Sequence, residues 1–349
     1  MEGSTTTRRD DTPPVAVPTA LQRTLINRYQ GGFPLCARPF AALAMALECS
    51  EGEVIEAVAE LLRNGLLTRF GPLFDAARLG GAVTLAALRV PPNRFASVAQ
   101  LVNALPQVAH NYRREHDLNM WFVVASDRAD EVARTLSRIE VMTGLHVYDF
   151  PKEREYRVGL WLQLGADGTV DTVPLPAASV PAASVSLDTG DRRLIEATQE
   201  GLPLTALPYA AVARELGLQP DDVIARMQRL LAGGVIRRIG VVPHHYRLGL
   251  RGNGMSVWDV DDAVVDALGQ RISELDFVSH CYRRPRHART WPYNLFVMAH
   301  GADRGAVGAK IACIEALLGE HCRGHEVLFS TAVLKKSGLR VAREAPCSV

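Results

Sequence analysis

Two stretches of this 349-residue chain are copies of one another, so the fold of one must also suit the other. Pro34-Leu35-Cys36-Ala37-Arg38-Pro39-Phe40-Ala41-Ala42-Leu43-Ala44 lines up with Pro203-Leu204-Thr205-Ala206-Leu207-Pro208-Tyr209-Ala210-Ala211-Val212-Ala213. The same offset places Leu61-Leu62 on Leu230-Leu231, Gly65 on Gly234, Arg69 on Arg238, Gly71 on Gly240 and Arg78-Leu79-Gly80 on Arg247-Leu248-Gly249. After one inserted residue, His110-Asn111-Tyr112-Arg113-Arg114 falls on His280-Cys281-Tyr282-Arg283-Arg284. Collinear matches over this length are not a product of chance.

Each copy opens with helices. In copy two, Leu194, Ile195, Leu202, Leu204, Val212 and Leu216 supply apolar positions, and Gly217 closes a helix. Pro220 starts the next, whose Val223, Ile224, Met227, Leu230 and Leu231 recur at helical spacing. Val235 to Gly240 reads as a wing strand, so three helices and a small hairpin make a winged helix-turn-helix. In the second part of copy one, strands are expected at 83–90, 120–126 and 146–150, and helices at 94–105 and 129–142. This is the βαββαβ, ferredoxin-like plan.

The expected class is α+β, a tandem duplication of winged helix plus ferredoxin-like domain. The expected boundaries are a disordered tail at 1–20, winged helix one at 21–74 and α/β domain one at 75–165. A Pro/Ala/Ser/Gly-rich linker at 166–189, winged helix two at 190–243, α/β domain two at 244–342 and a tail at 343–349 complete the chain.

No apolar run reaches the roughly 18 residues of a membrane span, and Met1 to Asp10 is too polar for a secretory signal. Six scattered cysteines without a CxxC pair speak against a zinc knuckle and for reduced thiols in the cytoplasm.

A helix-turn-helix followed by βαββαβ resembles the Lrp/AsnC regulators, which makes DNA binding the first function to weigh. The recognition helices begin Ser50-Glu51-Gly52-Glu53 and Gln219-Pro220-Asp221-Asp222. Acids there suit the helix dipole but would face phosphates, and a net charge of +1 lacks the basic excess of a nucleic-acid binder. No nucleic-acid partner is expected.

The shared His-x-Tyr-Arg-Arg segment points elsewhere. In copy two it runs on through Arg286, His287, Arg289, Trp291, Tyr293 and Asn294, mixing guanidinium, imidazole and aromatic groups within a dozen positions. A flat, multiply anionic ligand needs that mixture: Arg forks for carboxylates, aromatic faces for a ring, and His to move a proton. A further pair, His244-His245, follows the second wing.

These segments, with Gly254-Met255-Ser256-Val257-Trp258 and Trp291-Pro292-Tyr293-Asn294-Leu295-Phe296, resemble the siroheme decarboxylases, Lrp/AsnC-like proteins of haem d1 and alternative haem biosynthesis. The likeness covers residues 21 to 342. Copy one is similar to the D-type subunit and copy two to the L-type, as in a natural D–L fusion; G- and H-type subunits share much of the pattern. The resemblance implies loss of the C12 and C18 acetate carboxyls of siroheme, giving 12,18-didecarboxysiroheme. It implies no organic cofactor and no metal held by the protein alone, because the iron belongs to the substrate.

On that reading His280, His110 and His245 are the catalytic candidates, with His245 also a possible ligand to the siroheme iron. Substrate contacts are expected from Tyr282, Arg283, Arg284, Arg286, Trp291, Tyr293, Asn294, Trp258, Tyr112, Arg113 and Arg114. Loss of CO2 leaves electron density on the exocyclic carbon, to which a histidine delivers a proton. An apolar wall of Trp258, Trp291 and Phe296 would disfavour the reacting carboxylate. Copy two, with the denser cluster, is the expected catalytic pocket; working of both pockets, or borrowing of residues between copies, stays open. The two copies are expected to pair as an intramolecular pseudo-dimer, and further homo-oligomers are allowed. The alternative is a haem- or metabolite-responsive transcriptional regulator using the same pocket.

Overall fold

A computed structural model describes residues 17–174 and 185–336. The N-terminal tail to residue 16, the middle of the expected linker and the chain beyond 336 lie outside the described residues. Copy one opens with α1 (Ala20–Arg28), α2 (Pro39–Leu47) and α3 (Glu51–Arg63), followed by β1 (Leu67–Phe74). Its second part runs β2 (Ala82–Leu88), α4 (Phe95–Ala104), β3 (Val108–Arg114), β4 (Met120–Ser126), α5 (Ala129–Thr143) and β5 (Val147–Pro151). Three short strands follow: β6 (Arg154–Val158), β7 (Trp161–Leu164) and β8 (Val170–Val173). Copy two repeats the order as α6 (Thr189–Thr198), α7 (Pro208–Leu216), α8 (Pro220–Ala232) and β9 (Ile236–Pro243). It continues with β10 (Gly252–Val260), α9 (Val265–Ser273), β11 (Val278–Arg283), β12 (Leu295–Gly301), α10 (Arg304–Leu318) and β13 (Cys322–Lys336).

Local chemistry sets the helix ends. Thr19 with Gln22, Ser50 with Glu53, and Asp188 with Asp191 form reciprocal capping boxes that satisfy the first backbone amides of α1, α3 and α6. Gly217 ends α7 in the left-handed conformation that glycine takes without steric cost. The acids Glu51 and Glu53 thus complete the first turn of α3; Glu53 is consumed by its cap, and Arg38 binds Glu51.

The wing differs from the expected hairpin. Within each winged helix only one strand is present, and β1 pairs antiparallel with β9 of the other copy, Gly71 opposite Gly240. Around this crossing the copies exchange equivalent contacts. Arg69 donates to the Gln199 carbonyl at 2.7 Å, and Arg238 to the Gln30 carbonyl at 2.7 Å. Both arginines are half-buried, and desolvation pulls their pKa values below the ordinary range. The two winged helices consequently share one core that runs from Leu25 and Phe40 to Tyr209, Met227 and Leu250.

The linker also starts later than expected. β7 and β8 form a hairpin inside the stretch assigned to α/β domain one and the linker, and Leu162 and Leu164 pack into the winged-helix core. Gln30 fixes it by donating to the Leu162 carbonyl at 2.7 Å and accepting from the Leu162 amide at 3.0 Å.

The α/β parts take the ferredoxin-like strand order twice, in one nine-stranded sheet: β5-β2-β4-β3-β13-β10-β12-β11-β6. The join is reciprocal. The far half of β13 pairs with β3, and β6 pairs with β11, so each copy's last strand extends along the second strand of the other. Because β6 follows β5 after two residues, the sheet wraps back on itself. α4 and α5 cover one outer face, α9 and α10 the other. Between the copies lies an inner core of Ala87, Leu118, Trp121, Phe150, Met255, Val257, Trp291, Tyr293, Phe296 and Leu328. Full burial of such aromatics stabilises the join by about 1.5–3 kcal/mol each.

Candidate functional site

Strand alternation divides the repeated motif between two faces. On β3, His110, Tyr112 and Arg114 point toward the other copy, while Asn111 turns to α4 and bonds Asn103 at 2.9 Å. His280 and Tyr282 on β11 and Arg284 just after it share the inner face, while Cys281 packs into the helix-side core. Arg114 donates to the Leu328 carbonyl of copy two and Arg284 to the Phe150 carbonyl of copy one, a second exchange across the join. Both guanidinium groups are buried, and desolvation brings each pKa down to about 10.

Alternation also separates several expected substrate residues from this face. Arg113 lies over the Phe95 ring on the helix side. Arg283 is bound to Glu153 and flanked by Asp262 and Asp266, and Arg286 is held by Asp259, Asp262 and the Val260 carbonyl. Trp258 is buried in the helix-side core and stacks on His325 at 4.3 Å. Asn294 is bonded to Val260 and Asp262. Trp291 stands in the inner aromatic core beside Trp121, Phe150 and Phe296, and Tyr293 donates to Glu326 at 2.7 Å. Neighbouring partners already occupy the polar groups of Arg283, Arg286, Trp258, Tyr293 and Asn294 in this conformation, while Arg113 is exposed and the Trp291 Nε1 has no partner among the described residues.

The inner face carries a row of polar groups across the sheet. Ser330 of β13 registers with Arg114, Asn253 of β10 with His300 of β12, and His300 touches Ser279 beside His280. His300 Nε2 lies 2.8 Å from Ser279 Oγ, and His280 Nδ1 lies 2.9 Å from the same oxygen. The His245 ring packs 5.1 Å from that of His300, and Asn253 binds Tyr246. Tyr112 and Arg114 of copy one are within electrostatic reach of Tyr246, and His110 of Lys336, its neighbour in register.

Burial dominates the titration of this row. It lowers His110 and His280 to about 4, His300 to about 3 and His245 to about 2, with nearby cations and imidazoles adding to the shift. Glu155 opposes it at His280. Tyr112 is raised to about 12 by the same burial. The row is therefore neutral imidazole flanked by charged guanidinium. Several of its buried atoms have no partner among the described residues: His110 Nδ1, His245 Nε2, His300 Nδ1, Arg114 Nε, Arg284 Nε and Asn253 Oδ1. Orphaned polar atoms are costly, and their concentration here marks a place built for a ligand. Among the described residues, no group of three or more His, Cys, Asp or Glu is arranged to hold a metal ion.

The duplication shows that the copy-two part of this row has no counterpart in copy one. The positions equivalent to His245, Tyr246, Asn253, Ser279 and His300 are Ala76, Ala77, Val83, Ala109 and Ala125. Ser279 and His300 were not singled out by sequence. A lone His in the apolar strand Leu295–Gly301 looks like core, and only its replacement by Ala125 in the other copy signals a role.

The fold and site define a tandem AsnC-type ligand-binding protein. A model described as AsnC-like ligand binding domain matches residues 78–157 and 247–335, and one described as siroheme decarboxylase NirDL-like HTH domain matches 22–67 and 191–237. The chain belongs to the siroheme decarboxylase family. The siroheme decarboxylase NirDL subunit of Paracoccus pantotrophus is 35% identical over 93% of this chain and 98% of its own length. The NirH subunit of the same organism is 59% identical over 44% of this chain and 96% of its own, and the NirG subunit of Pseudomonas aeruginosa 56% over 41% and 97%. The crystal structure of siroheme decarboxylase NirDL in complex with an iron-uroporphyrin III analogue superposes with a TM-score of 0.67 at 26% identity, covering 92% of this chain and 93% of that one. No helix among the described residues is long and apolar enough to cross a membrane.

Proposed function

We propose that the chain decarboxylates the C12 and C18 acetates of siroheme, in the cytoplasm, at a composite site between the copies. His110, Tyr112 and Arg114 of copy one form one wall; His245, Tyr246, Asn253, His300 and His280 of copy two form the other. The observation that carries this reading is the set of buried imidazole, guanidinium and amide atoms on the inner face that have no partner among the described residues. The bound iron porphyrin in a family relative supports the same ligand class. Borrowing between copies replaces the expectation of a pocket made by copy two alone.

The chemistry follows from the groups present. Guanidinium groups of Arg114 and Arg284 bind carboxylates that do not react and keep the macrocycle in register. Breaking the bond between the acetate CH2 and its carboxyl releases CO2 and leaves the electron pair on the exocyclic carbon, shared with the ring. A proton from an imidazole of the row then completes the methyl group. The iron arrives with the substrate, and His245, whose Nε2 has no partner among the described residues, is the candidate to ligate it. No organic cofactor enters the scheme.

The two-copy layout is that of the NirDL subunits, while the half-length matches to NirH and NirG are the higher in identity. We therefore read the chain as NirDL-like in organisation with G- and H-like sequence. A regulatory role is disfavoured by the acidic first turns of α3 and α8 and by the engagement of Arg226 and Arg229 with Asp188 and Asp191. The test is anaerobic incubation of the purified chain with siroheme, following product mass. Loss of one or two CO2 is expected, and His280→Ala and His110→Ala each lower turnover. An unchanged siroheme mass would refute the enzyme reading, and unchanged turnover in His110→Ala the composite site.

A further inference from the structure

We propose that Ser279 and His300 form a proton relay that feeds His280, and that this relay confines turnover to one side of the pseudo-symmetric chain. The inference rests on the decarboxylation reading and adds two positioning residues to it.

The geometry is a continuous line. His300 Nε2 and His280 Nδ1 meet the Ser279 hydroxyl at 2.8 and 2.9 Å, closer than the Met298 carbonyl at 3.3 Å. Ser279 and His300 are buried at 2% and 3% exposure, so water does not compete for those contacts. The line has one useful direction. His300 Nε2–H donates to Ser279 Oγ, the Ser279 hydroxyl donates to His280 Nδ1, and the His280 proton resides on Nε2. When that proton passes to the exocyclic carbon, the Ser279 proton moves to His280 Nδ1 and the His300 proton moves to Ser279. His300 Nδ1, a buried atom without a partner among the described residues, then accepts a proton that originates in water. Each transfer breaks one bond to hydrogen and forms one, so one pass delivers one water-derived proton and leaves both rings in the opposite tautomer, and the line returns to its starting tautomers before the second CO2 is lost.

A hydroxyl between two imidazoles needs an explanation other than packing. Position 279 corresponds to Ala109 and position 300 to Ala125, and both small residues are buried in the same sheet environment. That environment therefore accepts alanine, and His110 has no such line behind its ring: its Nδ1 has no partner among the described residues.

Turnover of siroheme by Ser279→Ala and His300→Gln tests this, with affinity for iron-uroporphyrin III measured in parallel by spectral titration. Both variants are expected to lose about 10²-fold in turnover, the size of general-acid assistance, with affinity within about twofold of the unmodified chain. The solvent deuterium isotope effect on kcat should rise as protonation becomes slowest, and Ser279→Thr should recover turnover by restoring the hydroxyl. Turnover within about twofold of the unmodified chain in both variants would overturn the relay. So would parallel loss of affinity and turnover with an unchanged isotope effect, the signature of a structural role. An unmodified chain that leaves siroheme intact would instead remove the reaction on which the relay depends.

Discussion

Asn294 grips the backbone of Val260 from both sides, accepting from its amide at 3.0 Å and donating to its carbonyl at 2.9 Å. Asn119 holds Val90 in the same way, with distances of 3.0 and 2.9 Å. In each copy this amide staples the end of the first strand of the α/β part to the start of the third. Asn294→Ala would leave the buried Val260 amide unpaired, at about 1–3 kcal/mol, while its carbonyl keeps Arg286. A fall in the urea midpoint is expected, with turnover per folded molecule far less affected. A variant of unchanged stability would show that Asn294 serves the ligand instead.

The wing crossing makes a sharper demand. A Cβ on Gly240 would stand 2.2 Å from the Tyr29 carbonyl oxygen, and one on Gly71 2.9 Å from the Leu202 amide nitrogen. Backbone cannot yield as a flexible side chain can, so Gly240→Ala should cost on the order of 1–3 kcal/mol or more. Thermal unfolding checks this, and an unshifted Tm would mean that the wings do not cross this closely.

Acid should destabilise the fold through its buried imidazoles. His110 and His280 are lowered to about 4 and His300 to about 3, against an ordinary value of 6.5. A depressed histidine favours the neutral folded form, so its contribution is present above pH 6.5. Between pH 6.5 and about 4 the unfolded chain takes up protons that the folded chain refuses, and stability falls. Urea midpoints measured from pH 7.5 to 4.5 should drop steeply below 6.5, and less so in His300→Gln. A flat profile would place these rings in water.

Asp191 is fully buried and receives Arg226 at 2.8 Å together with Arg229, tying α8 to the cap of α6. Asp191→Ala leaves two cations without that partner and should destabilise by roughly 3 kcal/mol. Electrophoretic mobility of duplex DNA should stay unaltered by the unmodified chain, because these arginines point to Asp191 rather than outward. A retarded band would reopen the regulatory reading.

The duplicated order of elements was legible because apolar spacing, caps and glycines mark helices and strands locally. Pairing between copies was not: nothing local to β1 says that its partner is β9 rather than a neighbouring hairpin strand. The His-x-Tyr-Arg-Arg motif was legible as a cluster, yet treating it as a unit overlooked the two-residue period that sends Arg113 and Arg283 away from Arg114 and Arg284. Asn294 and Trp258 looked like ligand groups because amides and indoles serve both ligands and cores. His300 stayed hidden in an apolar strand, although comparison with Ala125 would have exposed it.

The exchange of last strands between the copies has a consequence for how such a chain can change. In a dimer of identical subunits every substitution appears twice, so a polar row gained on one wall is imposed on the other. Here the two walls are encoded separately and their partnership is fixed by the covalent link. One wall can carry His245, Ser279 and His300 while the other keeps Ala76, Ala109 and Ala125, without two kinds of subunit having to find each other in equal amounts. Fusion turns a symmetric assembly into one whose halves are free to specialise.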